Sequence, residues 1–194
     1  MPYDQANLGD TWAHLTNHCV QVEHPEYCEA SSIVMLDGLH TVLMEDGMPP
    51  EEAECRVKEL RKNIQSIVKG IFEAFEKTPP VAWFPLDNCF EVFGIDMMVD
   101  IDWHTWLLEV NSGPDFETFG ELNKEKCSDF LQDTLSVVEP QVSALSGAQP
   151  GEATIQRTGG YQLVHEQKGD GNSLSTFKRV MRTLSAGFQK KAST

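Results

Sequence analysis

The chain has 194 residues and a formal net charge of −15, from 30 Asp and Glu against 15 Lys and Arg, with 40% of its residues hydrophobic. That length suits one domain with a core of its own, and ordinary apolar and charged fractions exclude a collagen-like, membrane-spanning or wholly disordered chain. The charge is uneven: residues 1–140 carry 27 acidic and 8 basic side chains while residues 141–194 carry 3 and 7, and so acidic a body repels phosphate backbones, which disfavours nucleic acid as a partner.

Five cysteines, Cys19, Cys28, Cys55, Cys89 and Cys127, never form a CxxC pair. That spacing argues against a disulfide framework or a zinc ribbon and for a reducing compartment. No basic and then apolar leader opens the chain, and no run approaches the roughly 18 apolar residues of a membrane span. The expectation is a cytoplasmic chain with no membrane partner.

In chain order, residues 12–22 mix aromatic, β-branched and polar residues without helical period and predict a short strand and turn, ended by His24-Pro25. Apolar residues at Ile33, Leu36, Leu39, Val42 and Leu43 predict a helix from Ser32 to Met44, capped at Ser31 or Ser32 and stopped by Asp46-Gly47. Pro49-Pro50 and an acidic first turn open a long helix, Glu51 to Phe75, whose Val57, Leu60, Ile64, Ile67, Val68, Ile71, Phe72 and Phe75 form one core-facing stripe. Thr78-Pro79-Pro80 ends it.

From Cys89 to Asn111 two β-rich runs, FEVFGIDMMVD and TWLLEVN, flank the polar stretch Asp100 to His104, which predicts a hairpin. A second helix spans Asn123 to Val138 with Asn123 as cap, and Pro140 closes the ordered body. Residues 141–172 are too poor in apolar groups to offset their ordering entropy and predict a disordered linker. Residues 173–194 form a basic tail in which Leu174, Phe177, Val180, Met181, Leu184 and Phe188 fit a short amphipathic helix.

The chemistry concentrates in the hairpin. Glu109 and Asn111, two apart on one strand, share a face. If Val99 pairs with Trp106, Asp96 falls opposite Glu109 and three oxygen-bearing side chains converge. Facing carboxylates repel, no Lys or Arg lies between Lys77 and Lys124, and a divalent cation with oxygen preference, magnesium above all, answers that repulsion, with ATP phosphate as its natural co-ligand. Solvated acids on a sheet face are also common, so spacing alone leaves both readings open. His14, His18 and Cys19 invite a zinc reading that the segment's lack of helical pattern does not support, and Ser112 lacks the elbow of a hydrolase nucleophile.

The stretch CFEVFGIDMMVDIDWHTWLLEVNSGPDF resembles the signature of the tubulin-tyrosine ligase-like family, and HLTNHCVQ at residues 14–21 resembles that family's HLTN segment. The resemblance implies an α/β chain, the C-terminal part of an ATP-grasp fold, with an antiparallel sheet, packed helices and a flexible tail, the family body filling residues 1–140. It implies an ATP- and Mg2+-dependent ligase that joins an amino acid substrate to a protein substrate, such as tubulin, through an acyl phosphate. By motif position Asp96, Glu109 and Asn111 are the metal ligands, and Thr16 and Asn17 line the nucleotide or amino-acid pocket.

Two departures qualify this. Only 13 residues precede His14, so the ATP-clamping N-terminal half is expected to be absent, and Val22-Glu23 stand where the family often has a base. The Asn-Ser-Gly-Pro-Asp-Phe variant resembles the fungal and protist branch associated with processing bodies, and an acidic body is a poor dock for acidic tubulin tails. A second reading is a truncated, non-catalytic interaction module that keeps the family core. A third is a nucleic-acid-binding basic tail on an inert body.

Overall fold

The computed structural model describes residues 6–15, 17–78, 89–114, 116, 124–145, 161–167 and 177–181. Three one-turn helices come first: α1 (Thr11–His14), α2 (His18–Gln21) and α3 (Glu29–Ser32). The first two fall where a short strand and turn were expected over residues 12–22. Asp10 accounts for part of this, since its carboxylate accepts a hydrogen bond from the Ala13 amide at 3.2 Å and caps α1.

The helix expected from Ser32 to Met44 is also split. Its predicted caps fall inside α3, Ile33 is extended, and helix resumes only at α4 (Leu39–Glu45). The intervening Asp37-Gly38 is turn-forming, and the Gly38 amide donates to Met35 O at 2.8 Å. Asp46-Gly47 ends α4 as the sequence predicts.

The long helix α5 (Pro50–Glu76) matches its prediction to within one residue at each end. Pro50 occupies the first turn, where a missing N–H costs nothing, and Glu51 and Glu52 face the positive end of the dipole. Leu36, Leu39, Val57 and Leu60 form the central buried cluster, with Leu43, Ile64 and Val99 packed against it. Ala53, at 0% exposure, is a core position that the stripe of larger residues did not announce.

Strands β1 (Phe93–Val99) and β2 (Thr105–Ser112) form the expected antiparallel hairpin. It rests on α5 through β2, through the Phe93 ring, whose centroid lies 6.4 Å from that of Phe72, and through Val99 in the core cluster. Helix α6 spans Lys124–Leu145. It therefore continues through Pro140, which removes one backbone donor but does not stop the element. The expected cap, Asn123, lies outside the described residues.

Two strands fall where a linker and a tail helix were expected: β3 (Gln162–Gln167) and β4 (Phe177–Met181), an antiparallel pair. Helical spacing of apolar residues over a short segment is also compatible with a strand, and here cross-strand pairing decides. Tyr161, at the entry to β3, meets Phe130 of α6 at 6.0 Å between ring centroids, and Phe130 in turn meets Phe116. The result is an α/β chain with antiparallel pairing. No helix among the described residues is long and apolar enough to cross a membrane.

Candidate functional site

Strand alternation sorts the hairpin into two faces. Phe93 and Val99 turn toward α5, so Gly94, Asp96 and Met98 turn away from it. Across the ladder Gly94 pairs with Asn111, Asp96 with Glu109 and Met98 with Trp106, so these six residues share the outer face.

The expected facing of Asp96 and Glu109 is present, by a different route from the one the sequence suggests. Val99 pairs with Thr105 rather than Trp106, and the register shifts between Asp96 and Met97. Leu108 is the extra residue of this bulge, and it restores the Asp96–Glu109 pair while bringing Trp106 onto their face. Bulges re-aim side chains in this manner and concentrate beside functional sites.

Asn111 completes the trio. Its Nδ2 donates to Glu109 Oε1 at 3.2 Å and reaches Asp96 Oδ2 at 3.5 Å. Neither carboxylate makes an ion pair among the described residues. Desolvation at the sheet surface pushes the Asp96 carboxyl above its ordinary range, and a hydrogen bond shared with Glu109 and the charge of that neighbour push it the same way. The amide N–H group thus stands where a cation would relieve the pair. Half a turn of the same amide presents Oδ1, which makes two carboxylates and one amide oxygen on one face, a set that fits a hard divalent ion.

Local backbone supports the arrangement. Gly113 has φ of +72°, a conformation that favours glycine, and its amide donates to Val92 O at 3.2 Å. The chain then folds Pro114 back over Gly94, where an added Cβ would lie 3.4 Å from that of Pro114. Glycine at position 94 lets the segment after β2 close on the hairpin next to Asn111.

The hairpin tip is held by Asp100. Its Oδ1 accepts from the Asp102 and His104 amides at 3.0 and 2.8 Å, and its Oδ2 accepts from the Trp106 indole at 2.9 Å. These bonds, the indole first, hold the Asp100 carboxyl below its usual range. Trp103 takes a left-handed φ of 65°, and the Arg56 guanidinium of α5 lies 5.5 Å from its ring centre. Sequence reasoning missed this lock, although an Asp five residues before the start of a tryptophan-bearing strand at Thr105 is a readable turn signal. Asp100, Asp102 and His104 have ligand atoms within 4.8 Å of one another, but the hydrogen bonds just described already occupy Asp100.

Of the two pocket residues expected upstream, Thr16 lies outside the described residues. Asn17 is exposed at the start of α2, and its side chain makes no capping bond. Gln21 fixes the surrounding segment: its Nε2 donates to the carbonyls of Trp12, at 2.9 Å, and of Leu15. His14 and His18 sit on separate helical turns and bond elsewhere, His14 to Asn7 O and His18 to the Tyr27 hydroxyl. They do not form a shared zinc site.

Comparison with known proteins agrees with the family resemblance. The family profile described as the tubulin-tyrosine ligase family matches residues 1–145. A probable tubulin–tyrosine ligase of Saccharomyces cerevisiae is 30% identical over 133 residues, 69% of this chain and 16% of that protein. One of Schizosaccharomyces pombe is 36% identical over 110 residues, 57% of this chain and 23% of that protein. A probable tubulin polyglutamylase of Bos taurus is 26% identical over 162 residues, 81% of this chain and 31% of that protein. The chain therefore spans under a third of the length of each of these relatives. No solved structure matches it.

Proposed function

The chain belongs to the tubulin-tyrosine ligase family, and from that membership we propose that its β1–β2 hairpin forms the metal-binding wall of an ATP-dependent ligase of ATP-grasp type. The ligase joins an amino acid to a protein by an amide bond. The observation that carries this reading is the facing of Asp96 and Glu109 with Asn111 within reach of both.

In this reading Asp96, Glu109 and Asn111 hold Mg2+, which supplies positive charge against the ATP phosphates. The carboxylate substrate attacks the γ-phosphorus and ADP leaves. The incoming amine then attacks the acyl carbon and phosphate leaves, its proton passing to solvent or phosphate. The chain's own contribution is positional: the bulge aims both carboxylates at one point, and the apolar neighbours Ile95, Met97 and Val110 pin the strands behind them. Thr16 and Asn17 are assigned to the nucleotide or amino-acid pocket by motif position. The acceptor is a protein, with tubulin the one that relatives' names suggest.

The test uses Mn2+ as a spectroscopic substitute for Mg2+ on the whole chain. Glu109→Gln keeps size and hydrogen bonding but removes one charge. It is expected to weaken Mn2+ binding about tenfold or more, since even outer-shell changes at metal sites cost 10- to 100-fold. Unchanged affinity would leave the hairpin without a metal role and favour the non-catalytic interaction reading.

A further inference from the structure

The β1–β2 hairpin carries two registers. From Phe93–Ser112 to Asp96–Glu109 the pairs follow one, and from Met97–Leu107 to Val99–Thr105 they follow another, offset by one residue at Leu108. Each end is tied by its own bonds. The Gly113 amide donates to Val92 O at the open end, while Asp100 accepts from the Asp102 and His104 amides and the Trp106 indole at the tip.

With the tip so held, the bulge is what returns Glu109 to Asp96. An unbulged hairpin is also open to this sequence, in which the register of the open end runs on to the tip and Val99 pairs with Trp106. Three costs attach to the bulged form. Thr105 Oγ1 is buried on the Val99 face with no hydrogen-bond partner among the described residues, and the unbulged pairing would move it to the outer face. Trp106 and Leu108 are 54% and 59% exposed, and both would turn toward α5. Trp103 closes the three-residue turn with a left-handed φ of 65°, at a position that suits glycine.

One interaction stands against these costs. In the bulged form Trp106 shares the outer face with Asp100, and its indole donates to Asp100 Oδ2 at 2.9 Å. In the unbulged form the two residues fall on opposite faces and the bond is lost. The charge on its acceptor makes it stronger than a neutral hydrogen bond.

We propose that Asp100 is a positioning residue of the site: through the Trp106 indole it selects the bulged register, and the bulge sets the angle at which Glu109 meets Asp96. A bulge bends its strand and sharpens the local twist, and this one lies directly before Glu109. Asp100 thus acts through the strand rather than on the ion. Register selection stands on the hairpin alone, and its effect on a cation rests on the metal reading above.

The test compares the whole chain with Trp106→Phe, which keeps an aromatic ring and the net charge but removes the indole donor. The first readout uses no metal: interstrand proton contacts measured by NMR are expected to move position 106 from Met98 to Val99. A position 106 that stays opposite Met98 overturns the proposal. Asp100→Ala removes the same bond from its other end and should give the same shift, so a folding failure in one variant leaves the other to decide. Deleting Leu108 leaves no residue to bulge and brings the two registers into line. In that background Trp106→Phe should leave position 106 opposite Met98, and movement there overturns register selection, because burial of the ring would then be placing it.

The second readout is Mn2+ affinity, expected to fall about tenfold in Trp106→Phe, at the lower end of what outer-shell changes cost. Unchanged affinity in a hairpin whose register has moved overturns the positioning role. If the register moves and even the parent chain binds no Mn2+, the metal reading falls and that role with it, while selection of the register by Asp100 stands.

Discussion

Asp96 faces Glu109 across the hairpin because Leu108 is left out of register between them. Like charges directly opposite on a sheet are destabilising, so this pair is a cost to the metal-free fold. Asp96→Asn is accordingly expected to stabilise the metal-free chain by about 0.2–1 kcal/mol. The same substitution should cut the stabilisation gained on adding Mn2+, which for an intact site at a hundred times its dissociation constant is about 2.7 kcal/mol, by about half or more. A variant that is less stable without metal, or that keeps its full metal response, would contradict the assigned role.

The raised Asp96 carboxyl gives the site a pH signature. In the folded state this group keeps its proton to higher pH than in the unfolded chain, so between the two values the native state binds more protons and metal-free stability falls as pH rises. Metal must displace that proton, so Mn2+ affinity should drop as pH is lowered through the raised value. Titrating affinity from neutral pH downward tests this. A drop that begins only in the ordinary aspartate range, or that persists unchanged in Asp96→Asn, would sink the assignment.

Much of this was legible in the sequence. The α5 stripe was, because 27 residues of regular spacing leave one solution. The facing of Asp96 and Glu109 was too, although through a register that the structure replaces. Bulges are not encoded by alternation; they are settled by what each face must bury, and here Trp106 gives up its expected pairing with Val99 so that its indole meets Asp100. The one-turn helices before Cys28 were illegible because four residues are too few to display a period, and their ends depend on side chains such as Asp10 and Gln21 bonding to backbone. The β3–β4 pair was missed because its partner contacts are long-range: Tyr161 is placed by Phe130 and Thr134, 31 and 27 residues earlier.

Asp100 is expected to set the order of the hairpin tip. Its lowered carboxyl means that the tip's stabilisation is fully present above the ordinary aspartate value and is lost as pH falls through the folded value. Protection of the Asp102 and His104 amides, relative to their intrinsic exchange rates, should therefore persist in the native chain to lower pH than an ordinary aspartate would allow. In Asp100→Asn one amide oxygen replaces two carboxylate oxygens, so the backbone donors and the Trp106 indole cannot both be served and exchange quickens at neutral pH. Equal protection in variant and parent would show that the strands alone hold the tip.

Thr134 is a buried polar side chain of α6, and its hydroxyl has two partners. It donates to Phe130 O at 2.7 Å, which leaves its oxygen to accept from the Tyr161 hydroxyl. Tyr161→Phe keeps the ring against Phe130 but removes that donor, so the expected loss is about 0.5–1.5 kcal/mol. Thr134→Val removes both bonds and should cost more. In the double variant the Tyr161 effect should nearly vanish, because its partner is already gone, giving a coupling of about 0.5–1 kcal/mol. Denaturant titrations of the four proteins measure this. Strict additivity would mean that the segment entering β3 is held to α6 by ring packing alone.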